Sequence, residues 1–483
     1  TSPRGTEITA VVGEEAAFLP GSAMPCSSCH CGDGLGRPER GLIPLDIRWS
    51  ELVKTYGHVH HNGRRHPPYD DASFARSMVG GVDPANNQLD RAMPLYQMSS
   101  EDMADLIAYM KVLENDLDPG VSNDRVQVAT LLPLSGPAGA TGEAMARVMQ
   151  GHFEDINKQG GVFGRRIDLL AVPFGQSAEA SLENLQQALR VEGAFAVVGA
   201  YTIGLDEALL DVLRTDNVPL VGPFTLDPGD AFLDSGAFYI YSGFDEQARA
   251  LADQAVLQGA DAGKIAVASR EDARFNGPVR AVREQVRTKT GGGAPDEQRY
   301  ASGEFDATEF AERVAGSEAL IFLGPQSDLE PLLAALDSKG LSPRVYLLSS
   351  LLAQPLFDAP ATFDRRIFIA YPTLSSDMTP KGREEYQSLA KTYSLPSEHV
   401  QAQLAAFAAA KLLVEGLRRA GRDLSRVKLI EGIEELFAFQ TGVTPPLSYG
   451  PNRRIGARGA HIVAVDLANK RYAPIGDGWY ELR

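Results

Sequence analysis

The sequence predicts a multidomain chain: a small helical domain over residues 1–116, a linker at 117–123, and a two-lobed α/β region over 124–483. Three observations predict it. Near the end of the first segment, Met103, Leu106, Ile107, Met110 and Leu113 recur at helical spacing and make one apolar face. ENDLDPGVSND, Glu114 to Asp124, then interrupts all periodicity with Pro119, Gly120 and polar residues. Beyond it VQVATLLPL, RIDLLAVPF, FAVVGA, VPLVG, KIAVAS, ALIFLG and RVYLLSS alternate with helical stretches, the pattern of parallel sheets covered by helices on both faces. The remaining 360 residues exceed what one hydrophobic core usually serves, so two lobes are expected.

In chain order, the first chemical signal is CSSCH, Cys26 to His30. Two thiols three residues apart followed by a histidine form the attachment signature of a c-type haem. Cys26 and Cys29 would each bond a vinyl group, and His30 would supply the proximal imidazole. A zinc site would want two more ligands, and the only other cysteine is the adjacent Cys31. A methionine is the usual second axial ligand of an electron carrier. Met93 is the candidate, in AMPLYQMSSEDMADLIAYMKVL, where Pro94 stiffens the loop and Ser99 with Asp102 reads as the capping box of a following helix. Met98 and Met78 are the alternatives, while Met103 and Met110 belong to the apolar face. Between the ligands lies GHVHHNGRRH, with His58, His60, His61 and His66. It reads as a solvated loop rather than a second metal site, because its spacing repeats no helical metal motif. Arg64 and Arg65 there suit the haem propionates. DDASFARSM reads as a short helix after a proline-rich stop.

Composition narrows the function classes. A formal net charge of -17 argues against nucleic acid, and no apolar run reaches the eighteen or so residues that span a bilayer. TSPRGTEITA shows no charged-then-apolar leader, so a mature chain whose export signal has been removed is expected. Haem c attachment fits an oxidising extracytoplasmic compartment, the periplasm of a bacterium. No GxSxG, HExxH or P-loop occurs, so an electron carrier and binding protein is expected rather than an enzyme. His152, His399 and His461 are the only histidines outside the first domain, and His152 is expected on the exposed face of an amphipathic helix. Asp227 and Asp230 flank Pro228 and Gly229, as a turn requires. AAFAAAKLL reads as the packing surface of a buried helix.

On these residues the first 116 positions resemble a class I cytochrome c, through CSSCH, the turn-rich CGDGLGRPERGLIP, the Met-Pro loop and the closing helix. The resemblance implies an all-α domain with one covalent haem c and His30 and Met93 as axial ligands. Cys31 departs from it, since the family commonly has a small residue there.

The remainder, from about Val126, resembles the type I periplasmic solute-binding proteins of the leucine/isoleucine/valine branch. LLPLSGPAGATGEAM, INKQGGVFGRRIDLL, FAVVGAYTIG and VPLVGPFT carry it, in order. That implies two lobes of parallel sheet joined by three hinge crossings: lobe 1 at about 124–242 and 373–442, lobe 2 at about 243–372 and 443–483. Solute would lie in the cleft, beyond the carboxyl ends of the strands. The implied solute-binding residues are Ser135, Gly136, Tyr201, Thr202, Phe224, Thr225, Tyr241, Phe275 and Asp328. Asp328 falls where the family pairs an acid with the ligand's ammonium, and Phe275 near the aromatic that covers the ligand. Ile203 and Leu226 stand where the family has hydroxyls for an α-carboxylate, which points to a more apolar or aromatic small organic solute. The expected function is a periplasmic haem c protein that binds such a solute and carries one electron, for transport or sensing with an ABC permease as partner. The alternative is an electron-transfer partner of a periplasmic dehydrogenase, such as a quinoprotein, whose binding module recruits substrate or partner.

Overall fold

The computed structural model describes residues 2, 4–13, 16–32, 34–36, 42–115, 117–226, 228, 235–303 and 305–482. The expected turn at Asp227 and Asp230 lies outside them. The chain forms two compact units, Thr1–Asp118 and Pro119–Arg483.

In the first unit the helices Ser27–His30, Trp49–Leu52, Asp71–Gly80 and Ser100–Met110 are joined by short strands. Asp70 caps Asp71–Gly80 in a capping box with Ser73, and Gly81 at φ 65 closes it. Ser99 caps Ser100–Met110 by accepting from Asp102 N–H at 3.0 Å. The Asp102 carboxylate takes the hydroxyls of Ser2, Ser99 and Thr6, which hold its pKa down at about 2. Met103, Ile107 and Met110 enter the core with Leu52, Phe74 and Tyr96. The strand Thr9–Val12 pairs antiparallel with Ala17–Pro20 and Leu95–Gln97, and His58–Val59 pairs with Arg65–His66. The expectation of an all-α domain did not include these strands. They depend on pairings such as Ala10 with Tyr96, far apart in sequence.

The second unit holds two sheets. The first is all parallel, in the order Ile455–Ala457, Ala237–Tyr241, Leu220–Val221, Val197–Val198, Arg125–Leu132, Arg166–Pro173. The second runs Asp296–Tyr300, Ile265–Arg270, Ala319–Leu323, Arg344–Leu348, Ile367–Tyr371 in parallel, then Gly459–Asp466 and Arg471–Glu481 antiparallel. The central strands Ala319–Leu323 and Ile265–Arg270 are buried almost throughout, which is why they read as unbroken apolar runs. The chain passes between the sheets three times: after Tyr241, after Tyr371 and after Ala457.

The last crossing corrects the expected lobe boundary. Residues 443–457 were assigned to lobe 2, but Val443, Leu447 and Tyr449 pack in the lobe 1 core and Tyr239 pairs with Ile455. Lobe 2 therefore resumes at Gly459. At this hinge Ser242 Oγ donates to Ala457 O at 3.0 Å and accepts from Gly459 N–H at 2.8 Å, which ties the first crossing to the third.

The helix Val400–Ala420 is long and apolar enough to cross a membrane, and 72% of its most apolar window is buried inside the protein. Its alanines admit close neighbours. A Cβ on Gly222, which sits at φ 60 where the chain leaves a strand, would meet Ala409 Cβ at 2.6 Å. His152 is not exposed as expected but half-buried, its ring 5.2 Å from that of Phe407 on this helix. Burial, and then the Lys411 charge, hold its pKa down at about 4.

Candidate cofactor and solute sites

One helical turn builds the first site. His30 N–H bonds to Cys26 O at 2.9 Å and Cys29 N–H to the same oxygen at 3.3 Å, so residues i, i+3 and i+4 share one face. All three side chains line one cavity, and Cys26 and Cys29 are in no disulfide. His30 Nδ1 lies 2.8 Å from Leu45 O; a carbonyl only accepts, so Nδ1 carries the proton and Nε2 keeps its lone pair for a metal. Burial lowers the His30 pKa, which favours the neutral, ligating ring.

Met93 is half-buried and lines the same cavity. Its loop is set by Asp90, whose carbonyl accepts from Met93 N–H at 3.0 Å and whose side chain accepts from Ala92 N–H at 2.9 Å. Met78 also lines the cavity but is 4% exposed and belongs to the core, and Met98 is not among the lining residues. The walls are otherwise largely apolar, with Phe74, Leu106 and Met110 among them. Two free thiols, a neutral imidazole, a thioether and apolar walls fit a haem.

Arg64 lines the cavity, but its guanidinium is 2.8 Å from the fully buried Asp83. Arg65 is exposed and not a lining residue, so the propionate role expected of it has no support in its position. The four histidines are not a solvated loop either. His58, His60, His61 and His66 all line the cavity, and His66 is buried. The hairpin that assembles them pairs His58 with His66, a register that the spacing of the histidines did not reveal. Among the described residues no group of three or more His, Cys, Asp or Glu is arranged to hold a metal ion.

In the second unit the expected solute residues fall at the carboxyl ends of the strands, with differing fates. Ser135 and Gly136 are exposed in the turn after Arg125–Leu132. Tyr201 and Phe224 bridge as neighbouring strand ends, with rings 5.6 Å apart. Phe174, the last residue of RIDLLAVPF and not singled out from the sequence, adds a third ring 6.1 Å from Tyr201. Thr202 is fully buried and donates to Asp206 Oδ1 at 2.5 Å, so its hydroxyl is committed within lobe 1. Thr225 is half-buried and Leu226 exposed. Tyr241 is half-buried at the first crossing, where burial raises its pKa and a hydrogen bond with Thr373 opposes the rise.

In lobe 2, Asp328 lies in the first turn of Gln326–Ser338 and accepts from Tyr300 Oη–H at 3.1 Å. Tyr300, also unforeseen, has its pKa raised by burial and then by the Asp328 charge. Phe275 requires a correction: it is 3% exposed and packs in the lobe 2 core, so its ring is not available to cover a ligand. It precedes the helix Asn276–Lys289, and its neighbour Arg274, drawn to Asp272, is the exposed residue of the pair.

Known proteins match both parts. A periplasmic binding protein family model matches residues 125–471, and a cytochrome c family model matches residues 22–114. The Leu/Ile/Val-binding protein homolog 3 of Brucella melitensis biotype 1 is 25% identical over 326 residues, spanning 66% of this chain and 85% of that protein. A branched-chain amino acid ABC transporter protein of Thermus thermophilus, solved with bound valine, superposes with TM-score 0.55 at 17% identity, covering 74% of this chain and 97% of that one. A fatty acid ABC transporter substrate-binding protein of Thermomonospora curvata gives TM-score 0.55 at 17% identity, covering 76% of this chain and 95% of that one. At these identities the solved structures speak for the fold alone.

Proposed function

The chain belongs to the periplasmic binding protein family and carries a cytochrome c domain ahead of that region, and from that premise we propose a periplasmic protein that binds one small organic solute between its lobes and carries one electron on a single covalent haem c. Its role is transport or sensing of that solute. The observation that carries the reading is the single turn that sets Cys26, Cys29 and His30 on one cavity with Met93. Cys26 and Cys29 would hold the group by thioether bonds, and His30 and Met93 would ligate it. A haem bound there supplies one-electron chemistry. Phe74, Leu106 and Met110 would pack against it, and Leu45 O orients the His30 ring.

The solute class follows from lobe 1. Phe174, Tyr201 and Phe224 form an aromatic row beyond the carboxyl ends of three strands of one sheet, while Thr202, a hydroxyl that could grip a carboxylate, is bonded to Asp206. An anionic head without donors would cost several kcal/mol to desolvate, of order 3 or more. The row therefore favours an apolar or aromatic body, with Asp328 as partner for an amine where the solute has one.

Thermal denaturation of the full chain against leucine, aromatic amines and fatty or aromatic acids tests this. A solute at a hundred times its dissociation constant should add about 2.7 kcal/mol to the second unit. Asp328→Asn should remove the shift for an amine and spare it for a neutral aromatic. Leucine shifting the transition as far as any aromatic solute would defeat the assignment.

A further inference from the structure

The polar wall of the haem cavity is made by the hairpin of His58–Val59 and Arg65–His66. The rings of His58, His60 and His66 lie with centroids 4.9 to 5.8 Å apart. Their hydrogen bonds set the tautomers, because a carbonyl oxygen only accepts. His58 Nε2–H donates to Glu51 O at 2.7 Å, and His66 Nδ1–H donates to Pro67 O at 2.7 Å. In the neutral cluster His66 Nε2 is therefore the acceptor in its 2.8 Å contact with His60 Nε2. That contact holds one proton between two nitrogens. A second proton goes to His60 Nδ1, which that contact leaves unprotonated, and makes the pair a cation that nearby anions would stabilise.

Haem brings such anions, since its two carboxylates project from the ring edge opposite the vinyl groups that cysteines bond. Asp46 and Asp90, which also line the cavity, would repel them. Apart from His30, the lining residues among those described that are cationic or become so on protonation all sit on the hairpin: His58, His60, His61, Arg64 and His66. Arg64 already serves the buried Asp83.

We propose that the His60–His66 pair receives a haem carboxylate and takes up one proton as the iron is reduced, so that the potential falls as pH rises. This rests on the haem reading above. One electron enters the iron from a one-electron donor, and one proton passes from solvent to the imidazole pair; no other bond forms or breaks. The added electron raises the proton affinity of the pair, and by reciprocity the added proton favours the ferrous state.

The groups that face the pair act in both directions. Arg64 and His58 on the hairpin disfavour a further positive charge. Asp83, packed against Arg64, and Glu51, 3.8 Å from His58 Nδ1 and itself paired with Lys54, favour it. Tyr69 closes the far side, its ring 5.0 Å from that of His66. Burial holds the His60 pKa down at about 4 and lowers that of His66, so without an anion both rings are neutral near pH 7.

Spectropotentiometric titration of the full haem-loaded chain between pH 4.5 and 9 tests the proposal. Across the window in which the pair titrates, the potential should fall toward 59 mV per pH unit, one proton per electron. His60→Gln and His66→Gln should each flatten that slope, and Val59→Ser on the same hairpin should leave it intact. A flat native profile, or an unchanged slope in both glutamine variants, overturns the proposal. Resonance Raman of the unsubstituted protein covers a failure of the variants to fold: the haem propionate bending band should shift with the same midpoint, and an unmoved band overturns the proposal. A preparation lacking the alkaline pyridine spectrum of a thioether haem overturns the haem reading and this proposal together. That spectrum with a flat potential overturns this proposal alone.

Discussion

Single side chains decide the chemistry within each unit. Met93 is the loop methionine whose backbone and position both suit an axial role, held by Asp90 beside a buried Pro94. Met93→Ala should abolish the methionine-to-iron charge-transfer band of the oxidised protein and lower the potential, because a thioether favours ferrous iron. Survival of the band in Met93→Ala and its loss in Met78→Ala would transfer the role. His152 carries a different consequence. The fold holds its ring neutral, with a pKa of about 4 against an ordinary 6.5, so between those values the unfolded chain binds the extra proton. The stability it contributes is complete above pH 6.5 and is lost as the pH falls toward about 4. His152→Phe should therefore weaken the pH dependence of the second unit's melting temperature within that window. An identical dependence in the variant would show that the ring is hydrated.

At the scale of elements, most assignments follow from local pattern, and the joints between elements do not. The helix Asp71–Gly80 and its caps can be read from neighbouring residues, as can the buried strands. What fastens them is often a long side chain arriving from elsewhere. Arg426, at the start of the helix Arg426–Glu434, is 7% exposed and donates to Phe195 O at 3.0 Å, Ala194 O at 2.9 Å and Asp216 O at 2.7 Å. It ties together the loops that lead into the neighbouring strands Val197–Val198 and Leu220–Val221, and satisfies carbonyls of the buried Ala194 and Phe195. Arg426→Leu should cost about 3 kcal/mol or more of second-unit stability in denaturant titration. Arg419→Ala, which breaks a surface pair with Glu415 one helical turn away, should cost less than about 1 kcal/mol. Equal losses in the two variants would refute the carbonyl argument.

At the scale of the whole molecule, each unit has its own hydrophobic core, and the division falls between Asp118 and Pro119. Limited proteolysis of the haem-loaded chain should cut near Pro119 and release a red fragment and a colourless one, the latter retaining a cooperative thermal transition. A colourless fragment that melts without cooperativity would mean that the second unit depends on the first. Within the second unit, hinge closure is the motion by which two-lobed binding folds enclose a ligand. Ser242 ties two of the three crossings together here, so any closure must turn about a joined pair of strands rather than three separate ones.

The sequence by itself determined what short-range covalent and periodic order can carry. CSSCH specifies two thiols and an imidazole within five residues, and the alternation of apolar runs with helices points to parallel strands, which holds for all but the last two of the second sheet. Only the tertiary structure decided which distant residues meet. It moved 443–457 into lobe 1, because Ile455 pairs with Tyr239 across more than two hundred positions. It turned Phe275 into core, spent the Thr202 hydroxyl on Asp206, added Phe174 to the aromatic row and gave Asp328 a tyrosine partner. It also turned the histidine-rich segment holding His58, His60 and His66 from an expected loop into a hairpin whose rings form one wall. Strand pairing and core packing are long-range properties, and a linear pattern records a side chain's chemistry without recording its company.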